Sequence, residues 1–288
     1  YGARAGGGVI IVTTKKGKAG KPKFTFNTFH GQTRPLRILE SLNTAEWYNV
    51  RYEALVNALN NPTPAALANA RTTALANMGL PATTDVTKLD TIPSYDWQRE
   101  VFGVGKISNY EMSMQGGSQN LSYYFSGSYA LQEAFIKPTN FSRGSLLSKI
   151  NYKISEKVTF ENSLALATTF QYAPYSTGNT GFGNPAYSAS MILPTNPFRN
   201  PDGTYFGLPG SGQNMAGTFN HNILAVGDYV KYNTRTNQLV GNAAVSYKVN
   251  NDLTIRTMVG LDYRVLFDDR YQDPRVNDGF GVQGRLSN

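Results

Sequence analysis

The chain has 288 residues, 27 Lys and Arg against 19 Asp and Glu for a net charge of +8, and no cysteine. That composition closes off disulfide frameworks, thiolate metal sites and thiol redox chemistry. His30 and His221 stand in no metal-binding motif, and no run of about eighteen apolar residues marks a transmembrane helix, so the spanning structure left open is a closed barrel.

The first stretch, Tyr1-Gly2-Ala3-Arg4-Ala5-Gly6-Gly7-Gly8, leads into the β-branched run Val9 to Thr14. Clustered glycines suit a close approach of backbones before a buried strand. A phosphate-binding loop is not supported, because Gly20-Lys21 is followed by Pro22 rather than Ser or Thr. Lys15, Lys16, Lys18, Lys21 and Lys23 read as a solvated turn at a strand start, with no helical or ribonucleoprotein-type motif that would point to nucleic acid. Residues 21 to 32 fit a first strand, with Phe24 and Phe26 on one side and Thr25 and Asn27 on the other.

From Glu40 the period changes. Asn43 reads as a helix cap with Glu46 reaching back to it, and Leu42 is expected to staple onto Trp47. Trp47, Val50, Arg51, Ala54 and Ala58 then share one side. Thr63-Pro64 restarts a helix and Gly79-Leu80-Pro81 stops it. The stretch 42 to 80 is therefore expected as a short helical insertion between the first and second strands, on the external side.

Residues 107 to 171 show period-two alternation in four strands, near 107–116, 121–131, 144–154 and 158–171. Tyr110, Met112 and Met114 alternate with Glu111, Ser113 and Gln115; Tyr123, Phe125 and Tyr129 alternate with Tyr124, Ser126 and Ser128. Strands of about ten residues match a tilted membrane crossing. Short links alternate with long ones, and aromatic residues gather near strand ends, as in outer-membrane barrels. A soluble, Tyr-rich β-sandwich or lectin is the alternative that the alternation alone leaves open. Further strands are expected near 236–249 and 253–266, where Arg256, Asp262 and Arg264 would line a wet lumen. From Asp268 an external loop is expected, in which Asp268, Asp269 and Asp273 are either solvated charges or a cation site.

Between these strands, residues 172 to 231 are rich in Gly, Asn, Pro and aromatics, and a loop of that length in a compact fold is usually functional. Tyr172, Tyr175, Phe182, Tyr187 and Tyr205, with Trp47 in the helical insertion, are the candidate substrate-binding residues, because flat rings beside amides and hydroxyls stack on sugars. Packing of the loop on itself is the competing reading for any one of them. No paired carboxylates, activated nucleophile or metal cluster stands out, so no enzyme, catalytic residue or cofactor is expected.

The opening motif, Tyr1 through Gly17, resembles the end of the plug domain of starch-utilisation-type (SusC/RagA-like) TonB-dependent outer-membrane transporters of Bacteroidota. The resemblance continues through Asp96-Trp97, Gln115-Gly116-Gly117-Ser118, Tyr123 to Tyr129 and Asn200-Pro201-Asp202-Gly203-Thr204-Tyr205. It implies an all-β fold: a partial antiparallel transmembrane β-barrel of about seven to eight strands, with residues 1–20 as the end of the plug and 21–288 as the N-terminal part of the barrel. The signal peptide, the TonB box, most of the plug and the later strands would be missing, so the sheet is expected to have open edges. The resemblance further implies active import across the outer membrane of an oligosaccharide, or in some members a peptide. Its partners would be the TonB complex, a SusD-like surface lipoprotein and outer-membrane lipid, with no nucleic acid. A secreted carbohydrate-binding β-protein or glycoside hydrolase is the alternative function.

Overall fold

A computed structural model describes residues 7–8, 17–173, 184–219, 221–276 and 285–287. The expected plug strand through Val9 to Thr14 lies outside the described residues. The rest is one eight-stranded antiparallel meander: β1 (Gly20–Thr33), β2 (Gly105–Gly117), β3 (Leu121–Glu133), β4 (Asn140–Lys153), β5 (Val158–Tyr172), β6 (Lys231–Lys248), β7 (Thr254–Gln272) and the short β8 (Arg285–Ser287), each paired with the next in sequence. Each of the seven strands foreseen from the alternation is present, and most are longer than it indicated. At β6 and β7 the extra residues are mostly polar, with Tyr232, Phe267 and Tyr271 among them, and they still pair. Asp268 and Asp269, expected in a loop, are strand residues, and Thr234 Oγ1 on β6 donates to Asp268 Oδ1 at 2.6 Å.

Register aligns side chains into rows that cross the sheet. Phe26, Met112, Gly127, Leu146, Leu166, Leu239 and Tyr263 are successive partners from β1 to β7. One residue along, Asn27, Glu111, Ser128, Ser145, Ala167, Gln238 and Arg264 form the adjoining row. Successive residues point to opposite faces, so one face is apolar and the other polar. Phe26 and Met112 remain 65% and 63% exposed on the apolar face, and no second sheet packs over it among the described residues. A soluble sandwich would bury that face in a shared core, so the sandwich alternative is set aside and the face is a lipid-facing wall. On the polar face Arg256 ion-pairs with Glu161 and donates to Ser246 Oγ at 3.1 Å, which places charge where water reaches it.

The connections divide cleanly between the two ends of the sheet. Residues 118–120, 154–157 and 249–253 make tight turns at one end, and residues 34–104, 134–139 and 173–230 make the longer links at the other. Among the described residues β1 pairs only with β2, and β7 pairs with β8 over only three residues, so both margins of the sheet are open. No described helix is long and apolar enough to cross a membrane.

The described helices all belong to the long links: α1 (Thr44–Asn57), α2 (Pro64–Asn77), a 3₁₀ turn (Val86–Thr91), α3 (Trp97–Val101), α4 (Pro185–Met191) and α5 (Ile223–Tyr229). The α1 cap is the expected box, with Glu46 N donating to Asn43 Oδ1 and Asn43 N to Glu46 Oε2, both at 2.9 Å. Thr63 caps α2 ahead of Pro64, and Gly79 ends it at φ 71°. The fully buried residues of α1, Thr44 and Tyr48, lie outside the group Trp47, Val50, Arg51, Ala54 and Ala58 that share one side. Tyr48 is enclosed, with Tyr52 and Leu55 beside it, against Ala74, Leu75 and Met78 of the α2 region, whereas Val50 faces outward and Leu42 is exposed rather than stapled. Both sides of α1 carry aromatic and aliphatic residues, so docking on α2 decides which is buried.

The lipid-facing assignment makes neighbouring positions on β6 respond oppositely. Leu239→Arg should destabilise the folded protein in bilayers by about 2 to 4 kcal/mol near the midplane, whereas the inward Gln238→Arg should stay within about 1 kcal/mol. Chemical unfolding in lipid vesicles measures both, and equal losses would contradict the assignment of faces.

Candidate functional site

At the long-loop end, the insertion between β1 and β2 and the segment between β5 and β6 fold onto one another. Trp97, at the start of α3, is 1% exposed and sits edge-on to Phe198 at 5.0 Å, with Nε1 donating to the Asn196 carbonyl at 3.1 Å. Its neighbours in the core are Val101, Ala189, Ile192, Met215, Phe219 and Ile223, drawn from both connections. Polar groups are matched within each connection and, through Thr195, across the seam. The Asn196 side chain accepts from Ala216 N at 2.8 Å and donates to Ala216 O at 3.0 Å, and Thr195 Oγ1 donates to Met78 O at 2.8 Å. The Gln98 amide clasps Leu39, accepting from its N–H at 3.2 Å and donating to its carbonyl at 3.1 Å. Gly217 turns at φ 89°, where an added Cβ would stand 3.0 Å from Leu193 Cγ, so the loop closes tightly on Leu193.

This seam leaves an open cavity of about 790 Å³, lined by Trp47 and Arg51 of α1, Ala76 and Asn77 at the end of α2, Met191 of α4, and Leu193, Gly217, Thr218 and Phe219. Trp47 and Arg51 are four residues apart on a helix and so share a side. Trp47 packs at the margin of the α1–α2 core and also lines the cavity, whereas Tyr48 beside it is enclosed in that core. Trp47 remains half-buried. Arg51 Nε donates to Asn77 Oδ1 at 2.7 Å, which fixes the guanidinium against the end of α2. The walls therefore combine one broad aromatic face with amide, hydroxyl and guanidinium donors, the mixture that holds polyhydroxylated ligands.

The remaining candidates are distributed unevenly. Tyr187 on α4 is 44% exposed and packs edge-on against Phe219 at 5.3 Å, which brings it beside the cavity wall. Tyr172 ends β5 with its hydroxyl donating to Val230 O at 3.3 Å. Tyr175 and Phe182 lie outside the described residues. Tyr205 presents no open ring face. It is 4% exposed, covered by the Arg199 guanidinium 3.9 Å from its ring centroid and edge-on to Tyr229, and its hydroxyl bonds Asp228 and Arg199. Burial and the Asp228 carboxylate push its phenol up to about 12. Of the proposed cation ligands, Asp273 is held by Arg275 through two contacts of 2.8 Å, which keeps its carboxyl below the usual range, and no metal-binding cluster occurs among the described residues. Arg51, Asn77, Met191 and Phe219 were not foreseen as site residues. Only Arg51 carried a sequence signal, its spacing from Trp47.

A second hollow of about 810 Å³ lies on the apolar face, over Gly127 and Gly144 and between Phe26, Met112, Leu166 and Tyr263.

Comparison with known proteins gives a consistent picture. No family model matches the chain. It is 26% identical over 305 residues to TonB-dependent receptor P3 of Formosa agariphila, covering 100% of this chain and 25% of that protein. It is 27% identical over 290 residues to the TonB-dependent receptor SusC of Bacteroides thetaiotaomicron, covering 91% of this chain and 25% of that protein. The structure of the RagAB peptide importer in its closed-closed state superposes with a TM-score of 0.66 at 22% identity, over 95% of this chain and 31% of that chain, a likeness of fold. The chain thus spans about a quarter of the length of the curated relatives it matches. The resemblance to SusC/RagA-like receptors holds, these relatives are receptors rather than enzymes, and the apolar outer wall belongs in an outer membrane.

Two outcomes check the layer around the cavity. Trp97→Ala should cost about 3 to 5 kcal/mol in that layer, read as faster amide exchange in α3 and α4 with the β3–β4 amides unchanged. For Tyr205, the folded pKa lies above the ordinary 10.0. Its contribution to stability is therefore complete below pH 10 and lost as pH rises through about 12. Tyr205→Phe should abolish that share of the alkaline destabilisation, measured as unfolding midpoint against pH.

Proposed function

We propose, taking a SusC-like TonB-dependent receptor as the premise, that this chain is part of an outer-membrane importer of a nutrient oligosaccharide. The importer works with a SusD-like surface lipoprotein and is driven through the TonB complex. In this reading residues 1–20 are the end of the plug, residues 21–288 the first part of the barrel, and the long-loop end faces outward from the cell. The observation that carries it is the cavity at that end, where Trp47 meets the donors of Arg51, Asn77 and Thr218. A sugar ring stacks its apolar C–H face on the indole, while amide and hydroxyl groups take its hydroxyls. The polar inward face of β1 to β7 then gives the released ligand a water-lined wall to pass.

The sugar face of the cavity is Trp47, with Tyr187 beside it, and neither belongs to the set of fully buried residues that hold the layer together. Trp47→Ala combined with Tyr187→Ala should weaken oligosaccharide binding to the purified outer-membrane protein roughly five- to tenfold, about 1 kcal/mol or slightly more, with unchanged amounts in the outer membrane. Unaltered affinity at normal membrane levels would move the binding site elsewhere.

A further inference from the structure

The cavity contains one cationic group, and its hydrogen bonding is asymmetric. Arg51 gives its Nε–H to Asn77 Oδ1 at 2.7 Å. Among the described residues it forms no ion pair, and no carboxylate lines the cavity. Glu46, the nearest acid preceding it on α1, is committed to the Asn43 cap. A guanidinium offers two edges that match a planar carboxylate, one through Nε and one through the paired terminal nitrogens. Asn77 occupies the first edge and leaves the second for a ligand. Trp47 stands one helical turn away on the same side, so a ring stacked there carries its substituents toward Arg51.

We infer that the oligosaccharide held at this cavity is acidic, with a uronic-acid carboxylate received by the terminal nitrogens of Arg51 while its ring lies on Trp47. This rests on the importer reading above and names the substrate class of the same site. Neutral sugars need hydroxyl donors and acceptors, which Asn77 and Thr218 supply. A cation pre-set by a neutral amide, with no counter-charge in the cavity, adds affinity only where the ligand brings a negative charge. Asn77 acts here as a positioning residue.

The test is binding of a uronate-containing oligosaccharide, its carboxyl-reduced neutral counterpart and a short acidic peptide to the purified outer-membrane protein, by calorimetry at low and moderate salt. The uronate should bind roughly ten- to hundredfold more tightly than the neutral sugar, the range of a charge-assisted hydrogen-bonded pair, and the advantage should shrink with salt. Arg51→Gln should bring uronate affinity down to that of the neutral sugar, with the loss specific to the uronate larger than any loss the two sugars share. Asn77→Asp, which sets a competing carboxylate against Arg51, should do the same, whereas Asn77→Gln should retain the advantage. Equal binding of uronate and neutral sugar by the unaltered protein overturns the inference and leaves oligosaccharide import standing. Parallel loss of both sugars in Arg51→Gln, with neutral binding also lost, shows a packing role and overturns it as well. Binding of the acidic peptide with neither sugar bound overturns the oligosaccharide reading itself.

Discussion

Backbone hydrogen bonding between neighbouring strands is the constraint on which everything else in this chain depends. A wall set in hydrocarbon has no water to satisfy its N–H and C=O groups, so each strand must be paired along the length that crosses. The ladders here run for 11 to 18 partnered positions between β2 and β7. Because side chains alternate with a period of two, a slip of one residue in any ladder would carry charges such as Glu111, Lys149 and Arg264 to the lipid side. Register and the sorting of apolar from polar side chains therefore stabilise the same arrangement. The Arg256–Glu161 ion pair belongs to the face that stays wet, where its cost of desolvation is small.

Such a sheet has little interior of its own, and the buried core lies instead in the connections. Among the described residues Trp97, Leu75, Met78, Leu89 and Ile223 are the largest enclosed apolar side chains, and none is in a strand. Three clusters, around Leu75, Trp97 and Tyr205, give the long-loop end the packing of a small globular layer. Its polar seams are closed by amide side chains. Asn196 bridges both groups of Ala216, Asn222 donates to Phe198 O and Phe206 O at 2.8 and 3.1 Å, and Gln98 holds Leu39. Asparagine and glutamine can satisfy a donor and an acceptor at once, which lets irregular chain be buried without unpaired backbone groups.

That rigidity gives the cavity its chemical character. In the proposed importer, Arg51 held by Asn77 and Trp47 packed beside the α1–α2 core would lose less conformational freedom on binding. The Tyr205, Arg199 and Asp228 network performs a different task nearby. It ties the 199–205 turn to α5, and the enclosure of the Tyr205 ring keeps that aromatic residue inside the packing.

The amino-acid order by itself determined the strands, their sequence-adjacent pairing, the division into wet and greasy faces and the two ends of unequal loops. All of these follow from a period of two and from turn composition, which are local properties of the chain. It also determined the caps of α1 and α2, because Asn43 with Glu46 and Thr63 with Pro64 satisfy backbone groups within a single turn. Tertiary structure alone decided which side of α1 is buried, since Tyr48 and Trp47 are adjacent, both aromatic, and separated only by what α2 presents to them. It likewise decided that Tyr205 is enclosed while Tyr187 is open, and that Arg51, Asn77 and Phe219 share one cavity. Those three residues span 168 positions of sequence from Arg51 to Phe219, and no local pattern carries the coordinates of a contact made across so long a loop.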